Sequence, residues 1–356
     1  MKKQTVRLEG KTVLVTGSPG FIGANLVIRL LKEVGSGTVI SLDDMNDYYD
    51  VGLKEHRLRL INEAASASGA KHVFVRASIA EADKLAEVFD EYRPSVVVNL
   101  AAQAGVRYSI EHPEKYIESN VIGFFNILEA CRRHPVEHLV YASSSSVYGA
   151  DSEVPFSTED SADRPVSLYA ATKRSDELLA YSYSKLYDIP VTGLRFFTVY
   201  GPAGRPDMFY FSAAKTLEAG GRIRVFNYGN CMRDFTYIDD VTEGVVLVMQ
   251  GAPERKRGAD GLPEAPYAIY NIGGGRPENL NEFISVLHRE LKSCGVLPED
   301  HSLEDHVELV GMQPGDVPVT YADCGGLERD FGFRPGISIE TGLKRFARWY
   351  ADHYRR

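Results

Sequence analysis

The strongest constraint on this chain is a rhythm in its first half. Short runs rich in β-branched residues, KTVLVT (Lys11 to Thr16), GTVISL (Gly37 to Leu42), KHVFVR (Lys71 to Arg76), SVVVNL (Ser95 to Leu100) and EHLVYAS (Glu137 to Ser143), alternate with amphipathic stretches such as FIGANLVIRLLKEV and YIESNVIGFFNILEACRR. Short β-branched runs suit strands, with the amphipathic stretches as helical crossovers between them. The pattern predicts an α/β fold, a doubly wound parallel sheet with helices on both faces. Such sheets bind ligands at the carboxyl ends of their strands, so functional residues are sought there.

Beyond about Pro190 the rhythm loosens. GPAGRPDM and GAPERKRGADGLPEAP (Gly251 to Pro266) are dense in Gly and Pro, and helical spacing returns at Asn279 to Lys292 and Ser338 to Tyr354. A smaller C-terminal region folded over the ligand edge of the sheet accounts for this, and 356 residues leave room for it.

Composition excludes several function classes. The chain is 44% hydrophobic and 25% charged, as ordinary globular proteins are. It has no apolar run near the ~18 residues that span a bilayer, so no membrane segment is expected. The opening MKKQTVRLEG lacks the apolar stretch of a secretion signal, which predicts a cytoplasmic protein. A net charge of -9, with the one compact basic run (ERKR, Glu254 to Arg257) among Gly and Pro, argues against a nucleic-acid partner. Cys131, Cys231, Cys294 and Cys324 lie far apart, so neither a metal site nor a disulfide framework is expected.

VTGSPGFIG places Gly17, Gly20 and Gly23, with Phe21 and Ile22, directly after the first strand and at the start of a helical pattern. A turn there brings backbone close to a phosphate, and the helix N-terminus supplies free N–H groups and a positive dipole end. The G-x-x-G-x-x-G spacing departs from G-x-G-x-x-G, and glycines that only permit tight packing have the same look. Asp43 ends the second strand, where a carboxylate accepts from ribose hydroxyls and repels a 2′-phosphate; this favours NAD over NADP.

YAATK puts Tyr169 and Lys173 one turn apart on an amphipathic helix. An ammonium about 4 Å from a phenol, at an effective dielectric of about 20, contributes about 4 kcal/mol, or about 3 pKa units, toward making that phenol a base near neutrality. A surface Tyr/Lys contact has the same spacing. The serines of SSSVYG, Ser144 first, stand at the end of the fifth strand, where side chains meet a ligand; a polar turn is the plainer reading of the serines alone.

With the glycine loop, Asp43, LAAQAGVRYS, SSSVYG and Y-x-x-x-K in this order, the chain resembles the extended short-chain dehydrogenase/reductase family from Thr12 to Tyr354. Within that family DDMNDYYDVGLKEHRL, LRFFTVYGPAGRPDM, RDFTYIDD and MQPGDV look most like the UDP-glucuronate 4-epimerases. The resemblance implies a Rossmann-type domain over residues 1–190, to which segments near 191–200 and 236–275 return, and a smaller UDP-sugar-binding α/β region mainly over 201–356. It implies Tyr169 as the base at the sugar 4-hydroxyl, Lys173 lowering its pKa and holding the nicotinamide ribose, and Ser144 orienting the hydroxyl. NAD would be tightly bound and regenerated each turnover. Ser78, Ile79, Leu100, Ala101, Ala102, Asn120 and Phe197 would join the glycine loop and Asp43 around it, Ser78 standing where relatives usually carry an acid. Gln103, Arg107, Ser145, Ser146, Thr198, Arg205, Arg233, Gln313 and Asp316 would hold the substrate, with Arg205 and Thr198 on its carboxylate. The resemblance further implies a homodimer built on the helices containing Tyr116 to Arg132 and Ser167 to Tyr187.

The rival reactions are a decarboxylation of the 4-keto uronate and the 4-epimerisation of a neutral UDP-hexose. A 4,6-dehydratase usually carries an acid pair where this chain has Ser145 and Ser146. A non-enzymatic nucleotide sensor has no need of Ser144, Tyr169 and Lys173 together.

Overall fold

The computed structural model describes residues 2, 4–149, 153–258, 261–312 and 318–355. Its strands are β1 (Thr12–Thr16), β2 (Thr38–Asp43), β3 (Lys71–Arg76), β4 (Val96–Asn99), β5 (His138–Ser144), β6 (Val191–Phe196), β7 (Thr198–Tyr200), β8 (Ile223–Val225), β9 (Met232–Tyr237), β10 (Tyr267–Ile272), β11 (Pro277–Asn279) and β12 (Val307–Leu309). Seven of them form one parallel sheet in the order β10-β6-β5-β4-β1-β2-β3. The five runs singled out in the sequence supply β1 to β5, and the expected Rossmann-type winding is present.

Crossovers α1 (Phe21–Glu33), α2 (Val51–Ser66) and α3 (Ala82–Tyr92) follow the first three strands. Between β4 and β5 come two single turns, α4 (Tyr108–Glu111) and α5 (Pro113–Tyr116), then a π-helical turn (Ile117–Ile122) that runs into α6 (Gly123–Arg133). The remaining helices are α7 (Leu168–Tyr187), α8 (Phe209–Glu218), α9 (Ile238–Met249), α10 (Leu280–Ser293), α11 (Gly325–Phe331) and α12 (Ile339–Tyr354).

Alternation along the strands divides the core between the two faces of the sheet. Val13 and Val15 of β1 join Leu26, Val27 and Leu30 of α1 in one buried cluster, while Leu14 joins Ile40, Val97, Phe89 and Ile127 in the other. The first cluster continues into the C-terminal region. There, beside the three-stranded sheet β11-β9-β7 and the pair β12-β8, Tyr200 of β7 and Phe235 of β9 join Tyr210 and Phe211 of α8, Phe283 of α10 and Phe346 of α12, with the rings of Phe235 and Phe283 stacked at 3.9 Å. No helix among the described residues is long and apolar enough to cross a membrane.

One buried cation joins the two regions. Arg57 of α2 is 1% exposed and donates to the carbonyls of Pro19 (3.0 Å), Ala203 (2.8 Å) and Gly204 (2.8 Å) and to the Tyr49 hydroxyl (2.7 Å). It thereby ties the glycine loop after β1 to the turn that precedes α8. Arg57→Ala strands three carbonyls away from solvent, so about 3 kcal/mol of stability should be lost. Urea unfolding followed by circular dichroism checks this; an unchanged midpoint contradicts it.

Candidate active site

The strand order reverses between β1 and β4, so the loops that leave them diverge and open a crevice at their carboxyl ends. Thr16 closes the bottom of that crevice: its hydroxyl donates to Asn99 Oδ1 at 2.6 Å and accepts from the Ala101 N–H at 3.2 Å. Gly17 follows with φ +68°, and a Cβ there would lie 2.7 Å from the Ala101 nitrogen. A Cβ on Gly23 would meet the Gly17 carbonyl oxygen at 2.2 Å. Both glycines therefore answer to packing, and the packing is what brings the N-terminus of α1 to the crevice.

That N-terminus fits a diphosphate. Gly20, its N-cap, offers no side-chain cap, the first turn carries no acid, and Phe21, Ile22 and Gly23 line the cleft. Free N–H groups and a positive dipole end are left facing the space where the phosphates of a dinucleotide would lie. Asp43, Ser78, Ile79, Leu100, Ala101, Ala102 and Phe197 line the same cleft. Ser78 contributes its hydroxyl, which accepts from the Ala80 N–H at 3.2 Å, while its own N–H is taken by Glu81.

Asp43 is not a bare charge. Its Oδ1 accepts from the Met45 N–H at 2.7 Å and from Lys54 Nζ at 3.3 Å. Burial pushes its carboxyl above the ordinary aspartate value while Lys54 pulls it back. Lys54 lines the cleft and was not singled out in the sequence, although Lys54, Arg57 and Ile61 stand at helical spacing on one face of α2.

At the other end of the cleft stand Ser144, Tyr169 and Lys173. Ser144 is the last residue of β5; its hydroxyl donates to Ser146 Oγ and accepts from the Ser146 N–H, both at 3.2 Å. Ser145 and Ser146 belong to the turn behind it. Ser167 caps α7 through the Ala170 N–H and so presents Tyr169 in the first turn, its ring edge-on to that of Tyr116 at 6.0 Å. Lys173 is 2% exposed and donates to the Ala142 carbonyl at 3.0 Å and to Asp176 Oδ2 at 3.2 Å. The ammonium beside Tyr169 thus carries an acid partner that the spacing did not reveal.

Asn120 lies behind the wall of the cleft. Within the π-helical turn it accepts from the Gln103 N–H (2.8 Å) and donates to the Gln103 carbonyl and the Thr172 hydroxyl (3.0 Å each), so it braces the loop after β4 against α7. Gln103 itself is on the cleft wall.

Arg205 lines the cleft near Tyr169, and its fork is engaged: Nε donates to Asp207 Oδ1 at 3.0 Å and Nη2 to Asp207 Oδ2. Tyr48 donates to the same Oδ2 at 3.2 Å. Burial disfavours the Arg205 cation, but Asp207 overrides it and raises its pKa; burial and then Asp207 push the Tyr48 phenol up to about 12. Thr198, Arg107 and Arg233 line an adjoining chamber that shares Tyr48 as a wall, so the structure places Thr198 and Arg205 on different chambers. Arg222 and Arg224 line that second chamber as well, an outward pair around the buried Ile223 of β8 that the sequence reading passed over. Gln313 and Asp316 lie outside the described residues.

The family model for the NAD dependent epimerase/dehydratase family matches residues 13–273. Protein CapI of Staphylococcus aureus is 47% identical over 97% of this chain and 99% of its own length. UDP-glucuronate 4-epimerase 4 of Arabidopsis thaliana is 42% identical over 97% of this chain and 76% of its own. The UDP-glucuronic acid 4-epimerase of Bacillus cereus, solved in complex with UDP-glucuronic acid and NAD, superposes with a TM-score of 0.81 at 29% identity, covering 96% of this chain and 100% of that one.

If the glycine loop is the phosphate cradle, Gly17→Ala should lose dinucleotide retention, because strain at φ +68° and a clash with the Leu100–Ala101 backbone force the loop away from the end of β4. Cofactor released on denaturing the purified variant measures this; a normal content contradicts it.

Proposed function

The chain belongs to the NAD dependent epimerase/dehydratase family, and from that premise we propose that it interconverts UDP-glucuronate and UDP-galacturonate at C4. The observation that carries this reading is the company Tyr169 keeps: Lys173 and Ser144 share its end of the cleft, and a carboxylate-binding guanidinium, Arg205, stands within electrostatic reach of its hydroxyl. A base for a sugar hydroxyl and a fork for a uronate carboxylate are both needed, and both face one space.

Bound NAD supplies a hydride acceptor that becomes the donor again before product leaves. The uncapped N-terminus of α1 would hold its diphosphate, Asp43 and Lys54 its adenosine ribose, and Lys173 its nicotinamide ribose. Tyr169 takes the proton from the 4-hydroxyl as the C4–H bond breaks, and Ser144 holds the oxygen in line. The resulting 4-keto sugar turns over in the pocket. Tyr169 then returns the proton to the oxygen of the inverted centre. Arg205 keeps the C6 carboxylate from aligning its bond to C5 with the ketone π system, which withholds carbon dioxide loss. The second chamber, lined by Arg107, Arg222 and Arg233, suits the nucleotide diphosphate.

Ile122 at the end of the π-helical turn, Phe125 of α6, and Leu178, Tyr181 and Leu186 of α7 are apolar residues left exposed on neighbouring helices. They support a homodimer packed through these two helices. Its four unpaired cysteines match a reducing compartment, and we place the enzyme in the cytoplasm. Leu178→Glu should halve the mass seen by sedimentation velocity; a wild-type monomer contradicts the dimer.

Proton NMR of UDP-glucuronate with the purified enzyme tests the reaction. Galacturonate signals should grow without added NAD and without carbon dioxide. Tyr169→Phe should slow this about 10²- to 10⁴-fold while retaining NAD. Arg205→Ala should raise KM for the uronate about 30-fold, the loss of a charged hydrogen bond, and release carbon dioxide. Pentose signals from the unmodified enzyme would make it a decarboxylase, and turnover of UDP-glucose alone would make it a neutral-sugar epimerase.

A further inference from the structure

Three residues beyond Lys173 on α7 lies a carboxylate to which the reaction as described gives no task. Asp176 is 1% exposed. Its Oδ2 accepts from Lys173 Nζ at 3.2 Å, while its Oδ1 is buried with no hydrogen-bond partner among the described residues. Buried carboxylates ordinarily collect several donors, so a single ammonium on one oxygen is sparse company. Lys173 has given one N–H to Asp176 and one to the Ala142 carbonyl, and the third remains for the cleft that its side chain lines.

The surroundings isolate this pair. Glu177, next on α7, is fully engaged by Arg195 of β6 at 2.8 and 2.9 Å, by Arg174 at 2.9 Å and by the Ser143 hydroxyl of β5 at 2.7 Å. Tyr141 of β5 and Tyr267 of β10 bond to each other at 2.8 Å. Arg195 is thus committed to Glu177, Arg174 is divided between Glu177 and Asp163 at 3.2 Å, and Lys173 is the cation that answers Asp176.

We propose that Asp176 sets the charge that Tyr169 meets: ionised, it cancels much of the field of Lys173; protonated on its bare Oδ1, it lets that field act in full. Asp176 has this role only if Tyr169 is the base, and the role does not depend on which sugar is bound. Burial pushes the Asp176 carboxyl up to about 7, with Lys173 drawing it down and Glu177 adding to the rise, so both states are within reach near neutrality. Asp176 is a positioning residue; it does not line the cleft and acts through Lys173.

Removing the negative charge should make the Tyr169 phenolate easier to form. Two helical turns separate Tyr169 from Asp176, roughly 10 Å, and at an effective dielectric of about 20 one charge at that distance moves a pKa by about one unit. In NAD-loaded Asp176→Asn the phenolate midpoint, read by near-ultraviolet titration against the matching Tyr169→Phe background, should fall by about one pH unit. The acid limb of kcat/KM should move with it. Asp176→Ser should do the same if the Asn variant does not fold. An unchanged midpoint, or one displaced upward because Lys173 has gone neutral, overturns the proposal. The titration needs no substrate, so it separates this failure from failure of the epimerase reading. In the unmodified enzyme, the infrared band of a buried protonated carboxyl should fade as pH rises through about 7; if no such band titrates, Asp176 does not switch.

Discussion

Two parallel strands, β1 and β4, end side by side, and the buried hydroxyl of Thr16 bonds to both the Asn99 carboxamide and the Ala101 N–H. That junction decides where everything else goes. It presses Gly17 against Ala101, turns the N-terminus of α1 toward the crevice, and starts the loop that Asn120 then braces against α7. Tyr169 and Lys173 therefore reach the cleft on a helix held through Thr172 to the loop that follows β4. The cofactor half and the reacting half are parts of one arrangement, which is why a 1 Å error in either is costly to such chemistry.

Charge inside the cleft comes in compensated pairs. Lys54 answers Asp43, Lys173 answers Asp176, and Arg205 answers Asp207, with the Arg195–Glu177 pair buried beneath them. Desolvated ions are expensive alone, so a site that must hold anionic phosphates and a uronate keeps its cations partnered until a ligand arrives. On the proposed reading, a sugar carboxylate arriving at Arg205 would share or displace a carboxylate already present, and Tyr48, whose hydroxyl donates to the same Asp207 oxygen, would stabilise the displaced one. A neutral sugar offers nothing for that exchange.

The fold was largely legible because β1 to β5 are short runs rich in β-branched residues set between helical stretches. β6 was hidden by what it does: Gly193 leaves room for the Tyr141 ring, and Arg195 is a fully buried cation whose partner, Glu177, lies on another element. β10 follows a breaker-dense loop that masks its start. In the site, Ser144, Tyr169, Lys173 and the glycine loop could be read because their spacing along the chain is short. Tyr48 could not, since it stands 159 residues from its partner Asp207; Lys54 and Asp207 are near Asp43 and Arg205 in the chain, 11 and 2 residues away, but nothing in that spacing marks a buried or cleft-facing ion pair. Asp176 was overlooked although it lies beside Lys173, because i, i+3 spacing gives no hint of burial.

The central claim is that one hydride leaves C4 and returns to it within a single closed cleft, while Tyr169 handles the proton. UDP-glucuronate deuterated at C4, turned over in ordinary water and examined by mass spectrometry and NMR, tests this most directly. The product should keep the deuterium at C4, and unlabelled substrate turned over in heavy water should gain none there. Loss of the label to solvent, or its appearance from solvent, would contradict the account.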